Sequence, residues 1–340
     1  MPSPAEAPGG EVAGPGGGAP PGPRRRPLMM ALSLALTACL VGAIAWFVHG
    51  HIGEFRELWA KPIPKSILAL MPVAWLLTIV SNSELLRWPM TAFGLRLSFL
   101  EGLALTAATT AVNYLIPLKS GSGLRGLYIA AGRGLAVTDY VAQLVSVTTM
   151  TLSTASIFAF GGLAAIWAQG RSPSPVLMAY FGGTFLLGLA SVLFLGRLPF
   201  RLPKRLRALA QGWDGLRSAT GLMARLAFLQ IAYFLSWALC NWLSLAAFGV
   251  RLSLAEVFFF CGGQIHTTII NLTPAGLGVV EAFSVYASDV MEFTPAQALS
   301  AQALNRLTAV SMLAFLGLWG WLYLSALMRR RKTAPQGPRL

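Results

Sequence analysis

Long apolar stretches dominate the chain and predict membrane-spanning helices. Crossing a bilayer takes about 18 or more consecutive apolar residues, and several stretches are long enough. A run of apolar residues this long, with few charges inside it, is typical of a transmembrane helix rather than of a soluble core. We therefore predict an all-α integral membrane protein with about six transmembrane helices, at 28–48, 66–86, 140–167, 176–196, 226–248 and 299–327.

Two further apolar regions, 97–135 and 252–286, are broken near their middle by proline and glycine. A straight helix would lose backbone hydrogen bonds at such a point, and lipid offers no replacement partner. Each region is therefore predicted to form a broken or re-entrant helical hairpin, buried among the spanning helices. The residues expected at the breaks are Pro117 and Gly121 in the first region and Pro274, Gly276 and Gly278 in the second.

The same motif introduces both broken regions. Ala-Phe-Gly-Leu-Arg-Leu-Ser at 92–98 returns as Ala-Phe-Gly-Val-Arg-Leu-Ser at 247–253, and Glu101 and Glu256 follow the two copies at the same spacing. We expect each glutamate to complement the dipole at the start of its hairpin. Internal duplication with a polar break in each half is typical of transporters, whose sites lie near the bilayer midplane.

The distribution of basic residues predicts how the chain lies in the membrane. Most of the 26 Lys and Arg residues fall in the N-terminal tail, the loops after the second and fourth helices, and the C-terminus. The positive-inside rule places these segments, and both termini, on the cytoplasmic side of a bacterial-type inner (plasma) membrane. Arg96 then begins its repeat inside and Arg251 begins its repeat outside, which predicts an inverted repeat.

These patterns divide the chain into a membrane domain and two tails. We predict a disordered tail at 1–27, a single polytopic membrane domain at 28–328 and a basic cytoplasmic tail at 329–340. Within the membrane domain, the repeat halves are expected at about 66–196 and 226–327. A basic cytoplasmic loop at 197–225 joins them.

Composition supports the membrane assignment and excludes other classes. Apolar residues make up 55% of the chain and charged residues 11%, whereas soluble proteins carry about 25% charged residues. The net charge of +14 does not predict nucleic-acid binding, because the basic residues do not interleave with exposed aromatics. The three cysteines are unpaired and His266 has no ligand-type neighbours at suitable spacing, so we expect no metal and no cofactor.

Few ionisable residues lie near the apolar segments, and they are the candidate ligand contacts. They are Lys119, Arg125, Glu281 and Arg306. Burying a charge at bilayer depth costs at least about 2.5–3.5 kcal/mol, so such residues usually form pairs or line a wet cavity. Two interpretations stay open. In the first, Arg125 and Glu281 form a structural ion pair that braces the two hairpins. In the second, the three cations attract an anionic headgroup while Glu281 orients or balances them.

Asn113 and Asn271 precede the two breaks and also have two possible roles. Either asparagine can satisfy backbone groups that the break frees. Either can also donate to a ligand at the open helix ends, where the dipoles already favour ions. The structural role is favoured for Asn271, and both roles stay open for Asn113.

Two motifs carry a resemblance to a known family. The first is Asn113-Tyr-Leu-Ile-Pro117 followed by Lys119, Gly121 and Arg125, and the second is Pro274-Ala-Gly-Leu-Gly-Val-Val-Glu281. Together they resemble the lysylphosphatidylglycerol synthase transmembrane-region family, also described as flippase-like, over about 28–328. Two positions depart from the family pattern. Ser122 stands where the family usually has an acid, and Ala275 stands where it usually has glycine.

The resemblance implies a stand-alone, non-enzymatic protein that moves or binds an amphipathic, anionic membrane lipid. Aminoacyl-transferring members carry a soluble domain after the membrane part, whereas this sequence ends shortly after its last predicted helix. The expected partner is a membrane lipid and not nucleic acid. One alternative is a scaffold or regulator that presents lipid to a separate lipid-modifying enzyme without transporting it. A second is a secondary transporter of a small anion.

Overall fold

The computed structural model describes residues 25–194, 221–268 and 273–333. All regular elements in these ranges are helical, which confirms the predicted all-α fold. Most of the predicted N-terminal tail and basic loop, together with residues 334–340, lie outside them. The helices are α1 (Arg25–Gly50), α2 (Ile52–Ala60), α3 (Lys65–Thr91), α4 (Phe99–Leu115), α5 (Ser120–Arg133), α6 (Val137–Ala168), α7 (Pro175–Phe194), α8 (Leu222–Ala246), α9 (Leu254–Thr267), α10 (Val279–Val290) and α11 (Pro295–Thr333).

Five of these helices, α1, α3, α6, α8 and α11, are long and apolar enough to cross a membrane. The sixth predicted crossing is α7, whose apolar part Pro175–Ser191 is shorter. The chain is therefore a multi-pass membrane protein. Sequence reasoning missed α2, a short helix that buries Phe55 against Ala296 and Leu299 at the start of α11. It also ended the last helix too early, because α11 continues to Thr333.

Both predicted broken regions fold as two short helices separated by a break. The first consists of α4 and α5, of 17 and 14 residues. The second consists of α9 and α10, of 14 and 12 residues, with a 3₁₀ turn at Pro274–Gly276 before α10. At 1.5 Å of rise per residue these helices are about 18–26 Å long. Each is shorter than the roughly 30 Å hydrocarbon core of a bilayer, as re-entrant helices are.

The repeated motif begins with a helix stop signal. Gly94 and Gly249 adopt left-handed backbone angles, with φ of 74° and 80°, just beyond the ends of α3 and α8. In the second copy, the Val250 N–H then donates to the Leu245 carbonyl at 3.2 Å. The first copy makes the equivalent bond at 3.0 Å. Glycine fits this position because it has no Cβ to clash in the left-handed conformation.

The motif ends with a helix start signal. The Ser98 hydroxyl accepts from the Glu101 N–H at 3.2 Å, and the Ser253 hydroxyl accepts from the Glu256 N–H at 3.4 Å. Serine at this position satisfies one of the backbone donors that the first turn of a helix leaves free. The duplicated motif is therefore a stop-and-start unit that ends one long helix and begins a hairpin.

The two hairpins exchange packing partners. The first helix of each hairpin packs on the long helix that follows the other hairpin, so α4 packs on α11 and α9 packs on α6. Glycines allow close approach in both pairs. A Cβ on Gly320 would lie 2.4 Å from the Ala104 carbonyl oxygen, and a Cβ on Gly162 would lie 2.4 Å from that of Ala255.

The helices that precede the hairpins, α3 and α8, also pack on each other, and they run antiparallel. The Arg225 guanidinium at the start of α8 lies 3.7 Å from the ring centre of Trp88 near the end of α3. Trp75, earlier in α3, and Trp237, later in α8, meet edge to face nearer the middle of both helices, with ring centres 5.6 Å apart. The two copies of the motif therefore lie at opposite ends of the molecule.

The stop signal can be tested at Gly249, where a Cβ would meet no atom within 4 Å. The φ of 80° is unfavourable for alanine, so we expect Gly249→Ala to lower the free energy of unfolding by about 1–2 kcal/mol. Thermal unfolding of the purified protein in detergent measures the change. Gly161→Ala is the control, because Gly161 lies inside α6 with open space around it. Equal effects of the two substitutions would contradict the assignment.

Candidate functional site

A cavity of about 350 Å³ lies between the long helices and both hairpins. Four of the predicted site residues line it, namely Asn113, Lys119, Arg125 and Arg306. Asn271, predicted to stand at the second break, lies outside the residues that the structure describes. The cavity therefore brings the basic residues of the first hairpin together with an arginine of α11.

Arg125 is buried in the cavity wall without an acidic partner. Arg125 lies in α5 and is 8% exposed. Its Nε and Nη2 atoms donate to the Thr109 hydroxyl of α4 at 3.1 and 2.8 Å. Within the described ranges, no carboxylate lies within salt-bridge distance of this guanidinium. The hypothetical ion pair between Arg125 and Glu281 is therefore not formed.

Glu281 pairs with Arg306 instead. The Arg306 Nε lies 2.5 Å from Glu281 Oε1, and Arg306 Nη1 donates to the Ala275 carbonyl at 3.3 Å. The other carboxylate oxygen of Glu281 accepts from the Gly278 N–H at 2.7 Å. The pair thus ties α11 to the break of the second hairpin and balances the charge of Arg306.

Asn113 holds the break of the first hairpin together. Its side-chain oxygen accepts from the Gly121 N–H at 2.8 Å, which satisfies a free backbone donor in the first turn of α5. Gly121 has no room for a side chain, since a Cβ there would lie 1.9 Å from the Thr109 carbonyl oxygen. Asn113 therefore has the structural role that sequence reasoning left open, and it also faces the cavity.

The first turns of α5 present charge to the cavity. Lys119 precedes the helix with a left-handed φ of 52°, and Ser122 and Arg125 follow it at spacings of three residues. Ser122 and Arg125, three residues apart within the helix, lie on one face of it. Both line the cavity together with Lys119, so the start of this helix presents two cations and one hydroxyl.

A polar network on the long helices was missed by sequence reasoning. Trp75 Nε1 donates to Asn305 Oδ1 at 2.8 Å, and the amides of Asn305 and Gln302 each reach Asn241 Oδ1 at 3.4 Å. These residues belong to α3, α8 and α11, far apart in sequence. The one local signal is that Gln302, Asn305 and Arg306 stand close together in the predicted last spanning helix.

Two buried polar atoms in the cavity wall have no hydrogen-bond partner among the described residues. They are the side-chain oxygen of Gln143 on α6 and the indole nitrogen of Trp237 on α8. A buried polar group without a partner costs about 1–3 kcal/mol. Both residues line the cavity, so a side-chain rotation that turned either atom toward a polar ligand would recover part of that cost.

The cavity wall also has an apolar side. Ile79, Leu85 and Leu86 of α3 line it together with Leu144 and Val147 of α6. Cations, amides and aliphatic side chains therefore surround one space, and such a wall matches an amphipathic ligand.

Glu101, the acid of the first repeat, is bound by three side chains. The Tyr128 hydroxyl donates to it at 2.8 Å, Arg331 lies at 3.2 Å and Arg133 at 3.7 Å. Arg331 is near the end of α11, whereas Glu101 begins α4. This cluster therefore joins the first hairpin to the end of the last helix, beyond the predicted contact with the helix dipole.

Glu256, the acid of the second repeat, makes the corresponding contact at the other end. Arg171, just after α6, lies 2.5 Å from its carboxylate, and the Ser253 N–H and hydroxyl each donate to it at 2.8 Å. Burial raises the pKa of the Glu256 carboxyl, but the hydrogen bonds from Arg171 and Ser253 outweigh burial and lower the pKa below its ordinary value. The Glu256 carboxylate therefore stays charged at neutral pH.

His266 lies in α9 and is hydrogen-bonded on both ring nitrogens. Ser156 lies 2.9 Å from Nε2 and the Tyr180 hydroxyl lies 3.0 Å from Nδ1. In the part of the chain that the structure describes, no group of three or more His, Cys, Asp or Glu residues could hold a metal ion.

Comparison with known proteins gives one family. A family model described as "Lysylphosphatidylglycerol synthase TM region" matches residues 30–317, which is most of the chain. The matched range includes both hairpins and all residues that line the cavity. No curated protein matches the sequence.

The different partners of Glu281 and Arg125 predict different effects on stability. We expect Glu281→Gln to lower the free energy of unfolding by about 3 kcal/mol, because it leaves Arg306 without its counter-charge. Arg125→Gln should leave stability unchanged or slightly higher, because it removes a buried charge that has no acidic partner. Thermal unfolding in detergent compares the two variants. A loss in Arg125→Gln as large as that in Glu281→Gln would show that Arg125 is a structural residue.

Proposed function

The chain belongs to the lysylphosphatidylglycerol synthase transmembrane-region family, and we propose that it moves an anionic lipid between the leaflets of a membrane. The family relates the chain to lipid handling. The single observation that carries the finer proposal is Arg125, a buried guanidinium that faces the cavity without a carboxylate. The lipid headgroup supplies the missing negative charge.

The charge balance of the cavity supports an anionic ligand. Three cations line it, Lys119, Arg125 and Arg306, and Glu281 balances Arg306 alone. Two positive charges remain in a region surrounded by apolar helices. Charges in such a place usually have partners or mark the path of a substrate.

The walls favour a lipid over a small soluble anion. Leu85, Leu144 and Val147 lie beside the polar residues, so an acyl chain attached to the headgroup has apolar contacts to make. A free anion would gain nothing from these side chains. We therefore propose a lipid as the ligand, which the protein moves without changing it chemically.

The mechanism that we favour is alternating movement of the two repeat halves around the cavity. It requires an inverted repeat, and the antiparallel packing of α3 and α8 supports that arrangement. The positive-inside rule favours a plasma-membrane protein with both termini in the cytoplasm. In this scheme the Glu101 and Glu256 clusters hold the two ends of the cavity closed in turn.

Substitution of Arg125 tests the proposed function. The purified protein is reconstituted in phosphatidylcholine vesicles with a trace of tail-labelled phosphatidylglycerol, and bleaching of the outer leaflet by dithionite follows its movement. We expect Arg125→Gln to slow movement at least about tenfold, because hydrogen bonds to charged groups contribute roughly 1.5–3 kcal/mol. Arg56→Gln is the control, since Arg56 is exposed on α2.

The outcomes distinguish the candidate functions. Equal rates in Arg125→Gln and Arg56→Gln would contradict the assignment of the site. Tracer that binds the wild-type protein without moving would instead indicate the scaffold that presents lipid to a separate enzyme.

The two glutamate clusters are expected to close opposite ends. Cys39 is exposed and is replaced by serine, whereas Cys240 and Cys261 are buried and should not react. In this Cys39→Ser background, Thr148→Cys places a single accessible thiol in the cavity wall, because Thr148 lines the cavity. Glu101→Gln should increase its labelling by a membrane-impermeant maleimide about threefold from one side of the membrane. Glu256→Gln should increase the labelling by a similar factor from the other side. The size of both increases follows from the loss of a partly exposed ion pair, which contributes up to about 1 kcal/mol. Increased labelling from the same side in both variants would rule out alternating closure.

A further inference from the structure

The start of α5 presents two cations to the cavity, Lys119 just before the helix and Arg125 within it, with the neutral Ser122 between them in sequence. Lys119, Ser122 and Arg125 follow one another at spacings of three residues, and all three line the cavity. Ser122 therefore lies within one turn of both charges. Its backbone carbonyl accepts from the Tyr140 hydroxyl at 2.8 Å, and the residue lines the same space as the two cations.

No acid on the cavity wall offsets these charges. Among the described residues that line the cavity, none is Asp or Glu. The nearest candidate, Glu281, has its two oxygens on Arg306 and on the Gly278 N–H. A headgroup that carried an amine would therefore meet two positive charges and find no free carboxylate.

Gln143 supplies a neutral contact in the same wall. It lies on α6, one turn beyond Tyr140, and is 3% exposed. Its side-chain oxygen is buried without a partner among the described residues. With the Gln143 amide rotated so that its oxygen faces the cavity, a hydroxyl on the headgroup would donate to this oxygen. The phosphate oxygens would accept from Arg125 and Lys119.

We propose that the start of α5 selects the headgroup by charge, and that Ser122 is the residue that determines the choice. The site takes a lipid with an anionic, hydroxyl-bearing phosphodiester headgroup and rejects the same lipid when an amino acid is attached to it. Attachment of lysine reverses the net charge of the headgroup, and like charges in a desolvated site oppose binding strongly. The inference rests on the proposed function and names the substrate class for that site.

A pair of matched lipids tests the inference. Tail-labelled phosphatidylglycerol and tail-labelled lysyl-phosphatidylglycerol differ in the lysyl group alone. Binding of each tracer to the detergent-purified protein and its movement in phosphatidylcholine vesicles are measured separately. We expect the wild-type protein to bind and move phosphatidylglycerol at least about tenfold better than the lysyl form.

Three variants of α5 test the role of Ser122. Ser122→Asp places a carboxylate within one turn of Lys119 and Arg125, near the helix N-terminus, where an acid is tolerated. It should reduce binding of phosphatidylglycerol about tenfold and bring the lysyl form to a comparable level. Ser122→Asn adds bulk without charge and should keep the wild-type preference. Gly123→Asp places the same charge on the next residue, which is exposed with open space around it, and should also keep that preference.

The two readouts separate failure of the inference from failure of the proposed function. Equal binding of the two tracers by the wild-type protein would overturn the inference, and so would equal preferences in Ser122→Asp and Ser122→Asn. Binding with the expected preference but without movement would contradict the proposed function and leave the selectivity intact. Thermal unfolding of each variant confirms that it is folded.

A soluble competitor identifies the source of the anion. Glycerol phosphate carries the same phosphate and hydroxyl groups without acyl chains. If the ligand is a lipid, millimolar glycerol phosphate should compete weakly with the phosphatidylglycerol tracer and should not accumulate in vesicles. Uptake of glycerol phosphate by the wild-type protein would overturn the lipid assignment in favour of a small-anion transporter.

Discussion

Two backbone N–H groups, those of Gly121 and Gly278, determine whether helices can stop and restart inside this membrane domain. Lipid cannot satisfy a backbone donor, so every break in a buried helix needs an internal partner. The Asn113 side chain accepts from the Gly121 N–H, and the Glu281 carboxylate accepts from the Gly278 N–H. Both capping side chains belong to residues beside the cavity: Asn113 lines it, and Glu281 pairs with Arg306, which lines it. The two breaks therefore bring polar groups next to the space between the hairpins.

The two caps differ in charge, and the difference makes the cavity asymmetric. Asn113 is neutral, so the first hairpin leaves the cations Lys119 and Arg125 without a nearby acid. Glu281 is charged, and Arg306 neutralises it. A duplicated scaffold has thereby acquired one basic wall and one neutral wall. This asymmetry supports a ligand with one anionic end, and it explains why a single position, Ser122, is expected to control which headgroup is accepted.

The exchange of packing partners explains how the halves are held together. Each hairpin packs through glycine contacts on the long helix that follows the other hairpin. Each repeat acid binds an arginine at the end of that helix, Arg331 in the last turns of α11 or Arg171 just after α6. Backbone-to-backbone contacts of this kind allow close approach without large side chains that interlock. The ion pairs lie at opposite ends of the molecule. In the proposed mechanism, the glycine contacts stay packed while the ion pairs open in turn.

The sequence by itself determined the features that depend on local interactions. Hydrophobic length predicted the spanning helices, Pro117 and Pro274 predicted the breaks, and Glu101 and Glu256 were expected at the starts of the two hairpins. Each of these depends on neighbouring residues and on the absence of water in the bilayer. The partners of the charged residues were decided by the tertiary structure alone. The sequence left open whether Arg125 and Glu281 form an ion pair. In the structure Arg125 binds Thr109 and Glu281 binds Arg306. The polar network around Asn241 likewise joins three helices distant in sequence. Electrostatic and hydrogen-bond energies depend on distances of a few ångströms between side chains, and only helix packing sets those distances.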